Sequence, residues 1–388
     1  MQRDREYWLV AGGYALIFGA MALVEPYLVP HLLGLGLSGT EVGNLMAVVN
    51  LIGLLFIPLA SSAADRSGRH RRITVWSTLL QAAAALAMGL LTIPLLVGAA
   101  VIPFRYFTGL GMTARNRLAL AWLQARNSRD YGSLRLWGSL GFAGCVVIGG
   151  VVAQRAGVPL LFVASAAVAL ASLALLQPFA AQLPTQEQRR REGRPSPVLV
   201  LLLLVIILMS LSRAAYNGWV QDFIQTGLGG GQSAVGLYMA LVALIEVPVM
   251  AYEHHLVQKW GSGTTWALGL ILVAAGFWLF SLVQTVPQAL LLALPMGVSQ
   301  GFTIVAPVVL IGQVSRPHNT TLNLALAGVL GNLGTLIGSP IAGRLFDAYG
   351  VRTLLQVGAL GMFLTLIVLV GGLRLAGLGA LRPEGAGR

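Results

Sequence analysis

Long apolar runs separated by short polar turns follow one another along the whole chain. About twelve of these runs are long enough for a membrane-spanning helix, which needs roughly 20 residues. The first six predicted spans are 7–33, 41–62, 73–93, 95–119, 136–156 and 158–179, and the second six are 198–226, 233–255, 265–284, 288–313, 321–344 and 351–376. The pattern predicts an all-α polytopic membrane protein of about twelve transmembrane helices.

One polar interruption is much longer than the others. Residues 182–197 contain six charged side chains and three prolines. A segment of this composition does not span lipid and is typical of a solvated linker. We therefore predict an N-terminal six-helix half over 1–181, a cytoplasmic linker over 182–197 and a C-terminal six-helix half over 198–388.

The two halves repeat each other at a fixed offset of 193 residues. The register holds without a gap from Val42, which matches Val235, to Val158, which matches Val351. Chance matching is the alternative in a glycine-rich chain. It is disfavoured because a Gly-x-Leu-Gly element, a Thr-x-Pro element and a hairpin glycine all share the one register. Two pseudo-symmetric six-helix halves in the same orientation are a transporter architecture.

Small residues recur at steps of three to five in the fifth and eleventh predicted spans. They are Gly138, Gly141, Gly144 and Gly149 in the fifth, and Gly331, Gly334, Gly338 and Ala342 in the eleventh. Close backbone approach supplies much of the contact energy between helices in lipid, so we expect both spans to pack tightly on a neighbour. Static packing and helices that slide both fit this pattern.

Composition agrees with a membrane protein and also indicates its orientation. Apolar residues make up 56% of the chain and charged residues 10%, whereas soluble domains carry about 25% charged residues. The net charge of +12 lies mainly in loops on one side of the predicted spans. This is the positive-inside pattern and not a nucleic-acid groove. We expect a plasma (cytoplasmic, inner) membrane protein with both termini in the cytoplasm, a lipid bilayer around it and no nucleic-acid partner.

The chain shows no pattern that predicts a metal, a cofactor or catalysis. Cys145 is a single cysteine inside an apolar run, and the five histidines lack metal-ligand spacing. His254 and His255 are adjacent, so they point to different helix faces. A nucleophile–base constellation is also missing from the sequence. We expect neither a cofactor nor an enzyme activity.

A short basic hairpin, Asp65-Arg66-Ser67-Gly68-Arg69-His70-Arg71-Arg72, joins the second and third predicted spans. It resembles the signature G-x-x-x-D-R-x-G-R-[KR] of the major facilitator superfamily, except that Ser61 stands in place of the leading glycine. The stretch from Arg105 to Gly109 is similar to the R-x-x-x-G motif of proton-coupled members. The stretch Tyr131–Phe142 resembles the phenylpropionate, sugar and nucleoside permease branch.

This resemblance implies a secondary transporter that works by alternating access, with the first, fourth and seventh spans lining a central cavity. It also implies a cytoplasmic gate in which Asp65 meets a helix N-terminus of the other half and Arg66, Gly68 and Arg69 complete the latch. The alternative is that these charges only set topology. Drug/proton antiporters of the superfamily carry a G-P-x-x-G-G element, and residues 145–150 keep its glycine pair but lack the proline. An antiporter is therefore less favoured.

Four charged residues lie inside predicted spans and break the repeat: Glu25, Arg105, Arg213 and Glu246 match Gly218, Val298, Ala20 and Gly53. A charge at the bilayer centre costs about 2.5–3.5 kcal/mol on insertion scales, so we expect these residues to pair or to line a wet cavity. We predict two proton-coupling sets, one per half, in which each glutamate pairs with the arginine of its half. Each set could carry protons, or it could be a permanent ion pair that holds helices together.

A substrate site is predicted around the same arginines. We place there Arg105, Arg213, Tyr216, Asn217, Asn50 and Gln300. Arg213, Tyr216 and Asn217 are spaced to share one helical face. Trp219 and Asp222 follow in the same span and are either part of this site or interfacial anchors. These residues favour proton-coupled uptake, or symport, of a small organic solute by a monomer. The alternative is a proton-coupled efflux antiporter for drugs or sugars.

Overall fold

The computed structural model of the chain describes residues 5–126, 131–181, 183, 196–316 and 319–377. Over these residues the chain is helical and contains no strand. The α-helices are α1 Arg5–Ala22, α2 Glu25–Gly34, α3 Gly39–Ser67, α4 His70–Leu90, α5 Pro94–Gln124, α6 Tyr131–Ala156, α7 Val158–Ala171, α8 Pro197–Arg213, α9 Trp219–Asp222, α10 Gly231–Trp260, α11 Ser262–Leu282, α12 Val286–Leu291, α13 Ala293–Val314 and α14 Thr320–Leu375.

The helices account for the twelve predicted spans. Ten helical stretches are long and apolar enough to cross a membrane, and α8 is a shorter apolar helix. The longest helix, α14, has 56 residues and is divided by Gly350, whose φ of 76° is not helical. Counting α14 as two segments gives twelve across the described ranges, which confirms the all-α polytopic prediction.

Several predicted spans are not continuous α-helices, among them the first and the seventh. The first is divided between α1 and α2, and Pro26 lies in the first turn of α2, where proline is well tolerated. The seventh was predicted as one helix over 198–226, and this prediction is wrong. Helix α8 ends at Arg213, Gly218 takes a φ of 86°, and α9 and a π-helical turn follow. Glu25 and Gly218 are equivalent in the repeat, so both breaks occur at the same repeat position.

The chain folds into two compact units. Unit 1 comprises Met1–Leu37, Leu51–Gln188 and Ile224–Ala243, and unit 2 comprises Ser38–Asn50, Arg189–Phe223 and Leu244–Arg388. Each unit therefore takes one segment from outside its own stretch of sequence. Of the predicted linker 182–197, only Leu183, Ser196 and Pro197 belong to the described residues. The division into halves at 181 and 198 stays a prediction.

Each unit has its own helix pairs. In unit 1, α1 packs on α6, and α4 packs on both α5 and α7. Aromatic residues fill the core between α1 and α5, among them Tyr7, Tyr14 and Trp122. In unit 2, α8 and α11 both pack on α14, and α11 also packs on α13. Large apolar side chains also cover the outside: Leu95 and Leu291 are 79% and 75% exposed. An apolar exterior suits a surface that faces lipid.

Glycines bring helices into backbone contact, as the small-residue pattern predicted. In unit 1, Gly141 of α6 lies against the backbone of Ala15 in α1. In unit 2, its repeat equivalent Gly334 lies against the backbone of Ile207 in α8. Gly144 is an exception, because a side chain there would meet open space. The shared geometry supports the repeat that the sequence indicated.

A second pair of repeat-equivalent crossings involves α3 and α10. In unit 2, Gly43 of α3 lies against Ser339 and Gly343 of α14. In unit 1, Gly236 of α10 lies against the repeat-equivalent residues of α6, Val146 and Gly150. All four contacts include backbone atoms, so no side chain can be added at these glycines without moving a helix.

A side chain caps a helix at one end of each of these crossings, and here the two copies differ in charge. The carboxylate of Asp347 accepts hydrogen bonds from the amides of Gly39 and Thr40, both at 2.7 Å, and from the Thr40 hydroxyl at 2.6 Å. The repeat-equivalent Gln154 accepts one hydrogen bond from the amide of Ser233, at 3.4 Å. A negative charge at a helix N-terminus is favourable, so only the α3 cap gains from the helix dipole.

We expect Gly43→Leu and Gly236→Leu to destabilise the protein, because each added side chain would collide with a neighbouring helix backbone. Overpacking of this kind costs typically 1–3 kcal/mol. Thermal unfolding of the purified protein in detergent measures the loss. Gly144→Leu is the matched control, since it adds the same side chain into open space and should leave the melting temperature unchanged. Equal melting temperatures for all three variants would contradict the crossings.

Candidate functional site

Glu25 and Arg105 form an ion pair in unit 1. Glu25 is the first residue of α2, and Arg105 lies in the middle of α5. The Arg105 Nη2 atom is 2.5 Å from the Glu25 Oε2 atom, and the two side chains are 33% and 22% exposed. Arg105 Nε is buried and has no hydrogen-bond partner within the described part of the chain. The predicted pair is therefore formed, partly accessible, and still has one donor to offer.

Arg213 forms the centre of a polar cluster in unit 2. It is the last residue of α8, and its guanidinium donates hydrogen bonds to the Gln300 side chain and, at 3.4 Å, to the Thr303 hydroxyl. Both acceptors lie on α13. Glu246 of α10 is close enough for its charge to act on the guanidinium. The structure thus brings together the predicted residues Arg213, Glu246 and Gln300, and adds Thr303.

The residues that follow Arg213 have different surroundings. Tyr216 is 4% exposed, and its ring stacks on Phe277 with centroids 5.1 Å apart. Asn217 is exposed in the turn after α8. Trp219 is 3% exposed and packs against Phe346, so it lies inside unit 2 and not at an exposed interface. Of the predicted face, Tyr216 lies near the Arg213 guanidinium.

Asn50 forms a hydrogen bond inside its own helix. Its side-chain amide donates to the backbone carbonyl of Met46, one turn earlier in α3, at 2.7 Å. The structure therefore assigns Asn50 a helix contact, and its place in a substrate site stays a prediction.

The basic hairpin is a tight turn between α3 and α4. Gly68 takes a φ of 66°, and a side chain there would meet the backbone of Leu183, whose amide donates to the Gly68 carbonyl at 2.9 Å. Asp65 Oδ1 lies 3.2 Å from His70 Nε2 and 3.9 Å from Arg117 Nε. These partners belong to unit 1. Arg66 and Arg69 are exposed.

A small cavity of about 210 Å³ opens beside this hairpin. Asp65, His70, Asn116 and Arg117 contribute polar atoms to its lining, and the remaining residues are mostly apolar. Asn116 also accepts hydrogen bonds from two tyrosine hydroxyls. The donors are Tyr14 of α1, at 2.9 Å, and Tyr131 of α6, at 3.0 Å. The hairpin is thereby connected to the polar interior of unit 1.

Two buried charged residues were not among the predicted site residues. Arg115 in α5 is 1% exposed and donates to the Ser172 hydroxyl at 3.1 Å and to the Gly13 carbonyl at 3.5 Å. Glu253 in α10 is fully buried. Their repeat equivalents are Val308 and Ala60, so the rule that selected Glu25 and Arg105 also applies to them. The signal was present in the sequence, but both residues lie nearer to the ends of their spans.

Comparisons with known proteins identify the class to which this architecture belongs. The model of the MFS_1 like family matches residues 7–357, which is most of the chain. The chain therefore belongs to this family. Two curated relatives match nearly end to end. The uncharacterized transporter YwbF of Bacillus subtilis (strain 168) is 23% identical over 95% of each chain. The maltose permease of Geobacillus stearothermophilus is 25% identical over 92% of this chain and 91% of its own.

Solved structures show the same fold at low sequence identity. The nucleoside transporter NupG superposes with a TM-score of 0.78 at 12% identity, covering 95% of this chain and 99% of its own. An auto-inhibited POT family peptide transporter superposes with a TM-score of 0.79 at 11% identity, covering 96% and 97%. The protein is thus a major facilitator superfamily transporter, a multi-pass membrane protein and not an enzyme.

We expect Gln300→Leu to destabilise unit 2, because it removes an acceptor from the Arg213 guanidinium. A hydrogen bond to a charged group contributes about 1.5–3 kcal/mol to the free energy of unfolding. The change is measurable as a lower melting temperature in detergent. Gln225→Leu is the control, since the Gln225 amide oxygen is buried and has no partner among the residues described. A fall of equal size in the control would disprove a specific role for Gln300.

Proposed function

We propose that this transporter couples the uptake of a small organic solute to the inward movement of protons. The observation that supports this most is the Glu25–Arg105 pair, which is an acid–base pair within membrane-spanning helices that remains partly accessible. Burial of an ion pair is costly, and a permanent structural pair offsets that cost only when its remaining polar atoms are hydrogen-bonded. This pair does not meet that condition, because Arg105 Nε has no partner among the described residues.

The pair suggests a simple coupling step. A proton from outside binds the Glu25 carboxylate, and the neutral acid no longer holds the Arg105 guanidinium. Arg105 is then free to donate hydrogen bonds to an oxygen of the solute. After the alternating-access change, the solute leaves and Arg105 binds the carboxylate again as Glu25 releases its proton. Proton and solute therefore move in the same direction.

The Arg213 cluster would form the second part of the substrate site. Arg213 and Gln300 carry donors and acceptors suited to hydroxyl and carbonyl groups, and Asn50, Tyr216 and Asn217 are proposed to complete the site. Maltose and nucleosides, which the names of two similar proteins mention, are rich in such groups. We therefore propose a polar, hydroxyl-bearing solute such as a sugar or nucleoside. Glu246 would take the second proton-coupling role beside Arg213.

The same residues would also serve an efflux antiporter for drugs or sugars, in which a proton entering the cell displaces the solute outward. The two directions differ in the sign of the pH change when solute is added. The distribution of arginines favours a cytoplasmic-membrane location with both termini inside. In that orientation the hairpin around Asp65 lies at the cytoplasmic end of α3 and α4.

We expect Glu25→Gln to abolish gradient-driven accumulation while leaving exchange of solute across the membrane intact. Glutamine cannot bind and release the coupling proton. Accumulation should fall by at least about tenfold, because a loss of about 1.4 kcal/mol of driving free energy lowers the accumulation ratio tenfold. The measurement uses proteoliposomes with and without a pH gradient, and radiolabelled maltose and uridine as the probes. Glu41→Gln is the control, because Glu41 is an exposed carboxylate that bonds to Ser38.

Two results of this assay would contradict the proposal. Wild-type accumulation of either probe that persists after the gradient is collapsed would exclude proton coupling. A Glu25→Gln variant that still accumulates solute would move the carrier role elsewhere, with Glu246 the next candidate. An outward-directed solute flux driven by an inward proton gradient would establish the antiporter instead.

We also propose that Asp65 is part of a cytoplasmic gate, together with Arg66, Gly68 and Arg69. We expect Asp65→Asn to slow transport several-fold without changing membrane insertion, because positive-inside topology depends on lysine and arginine. Initial uptake rates and surface labelling of the hairpin measure the two effects separately. Asp347→Asn provides a comparison at a carboxylate that caps the start of α3. A normal transport rate in Asp65→Asn would leave the hairpin with a role in topology alone.

A further inference from the structure

Glu253 is a buried carboxyl group with no hydrogen-bond partner among the described residues. Its side chain is completely buried, and neither carboxylate oxygen has a hydrogen-bond partner in the described segments, although the group lies beside the backbone amide of Ala306 in α13. A buried carboxylate without a hydrogen-bond partner is far less stable than the neutral acid. The burial of Glu253 therefore favours its neutral carboxylic acid form in this conformation.

Glu253 is aligned with the second proposed proton-coupling site. It follows Glu246 by seven residues, which is two helical turns, so both acids lie on the same face of α10 about 10 Å apart. On α13, Gln300, Thr303 and Ala306 recur at steps of three and share a face. The first two hydrogen-bond Arg213, and the third lies beside Glu253.

Between the two acids, α10 and α13 are in close contact. A side chain at Gly301 of α13 would collide with Val249 and the backbone of Met250 in α10. Glycine at this position lets the helices approach closely over the turn that separates Glu246 from Glu253. The tight contact explains why Glu253 is shut off from solvent while Glu246 remains near a polar cluster.

Helix α13 does not supply a counter-charge for Glu253. Helix α13 contains no acidic residue, histidine, lysine or arginine from Ala293 to Val314. The other acidic and basic residues of α10 are Glu246, His254, His255 and Lys259. The His255 ring contacts Tyr252, with centroids 5.1 Å apart. A neutral acid is thus the form that fits the space between α10 and α13.

We propose that Glu253 is a second proton-binding carboxyl of the transport cycle, placed in series with Glu246 along α10. In the described conformation it holds its proton away from solvent. In the opposite conformation of alternating access, separation of α10 from α13 admits water, the O–H bond breaks, and the proton passes to water. This inference rests on the proton coupling proposed above, and it names a residue that the Glu25 and Glu246 sets do not include.

The first test detects the neutral acid without any substrate. Infrared spectra of the purified protein at neutral pH should contain a carbonyl band of a protonated carboxylic acid, which Glu253→Gln removes and Glu41→Gln retains. Glu253→Asp should restore a shifted band, and this variant keeps the test valid if glutamine impairs folding. A band of equal intensity in the wild type and Glu253→Gln would overturn the inference.

The second test asks whether that proton takes part in transport. In proteoliposomes, Glu253→Gln should exchange maltose or uridine normally but accumulate it only to the level reached without a pH gradient, and Glu253→Asp should recover part of the accumulation. If the wild type depends on the gradient and Glu253→Gln accumulates equally well, Glu253 is only a buried neutral acid and the inference fails. If the wild type itself is independent of the gradient, the proposed proton coupling fails instead.

Discussion

The cost of leaving a charge unpaired within lipid determines much of how these helices are arranged. Apolar side chains distinguish poorly between neighbouring helices and lipid, so polar contacts carry much of the information about which helices meet. Arg105 draws α5 to the start of α2 through Glu25. Arg115 ties α5 to Gly13 of α1. Arg213 joins α8 to α13 through Gln300 and Thr303. The few buried charges thus help to specify which helices pack together in an otherwise apolar interior.

Helix packing also requires close approach of the backbones, and the glycines that permit it recur in both halves. Glycines at equivalent repeat positions let α1 meet α6 and α8 meet α14, and the crossings of α3 with α14 and of α6 with α10 use a second equivalent set. The scaffold is therefore the duplicated part of the molecule. The buried charges are not repeated between the copies, so the two halves differ in chemistry on the same framework.

Hydropathy and the internal repeat were sufficient to predict the twelve segments and the tight glycine packing, because both depend on features with a fixed period. The Glu25–Arg105 pair could also be predicted, since each residue is a costly charge in the same half. The break after Arg213 was missed because the apolar pattern continues through Gly218. The partners of Arg213 depend on helix rotation and rotamers, which periodicity does not specify. Glu253, like Glu25, is a charged residue in a span that the repeat does not match. Its lack of a hydrogen-bond partner depends on the packing of α13, which the sequence does not specify.

The caps at the ends of α3 and α10 show what unequal copies imply for the timing of movement. Asp347 holds the first turn of α3 with three short hydrogen bonds to an ionised group, whereas Gln154 offers α10 a single long one. Contacts of such different strength do not break with the same frequency. The N-terminus of α10 should therefore open before the N-terminus of α3 in any rearrangement, because its cap is weaker. A duplicated fold thereby acquires a preferred order of events.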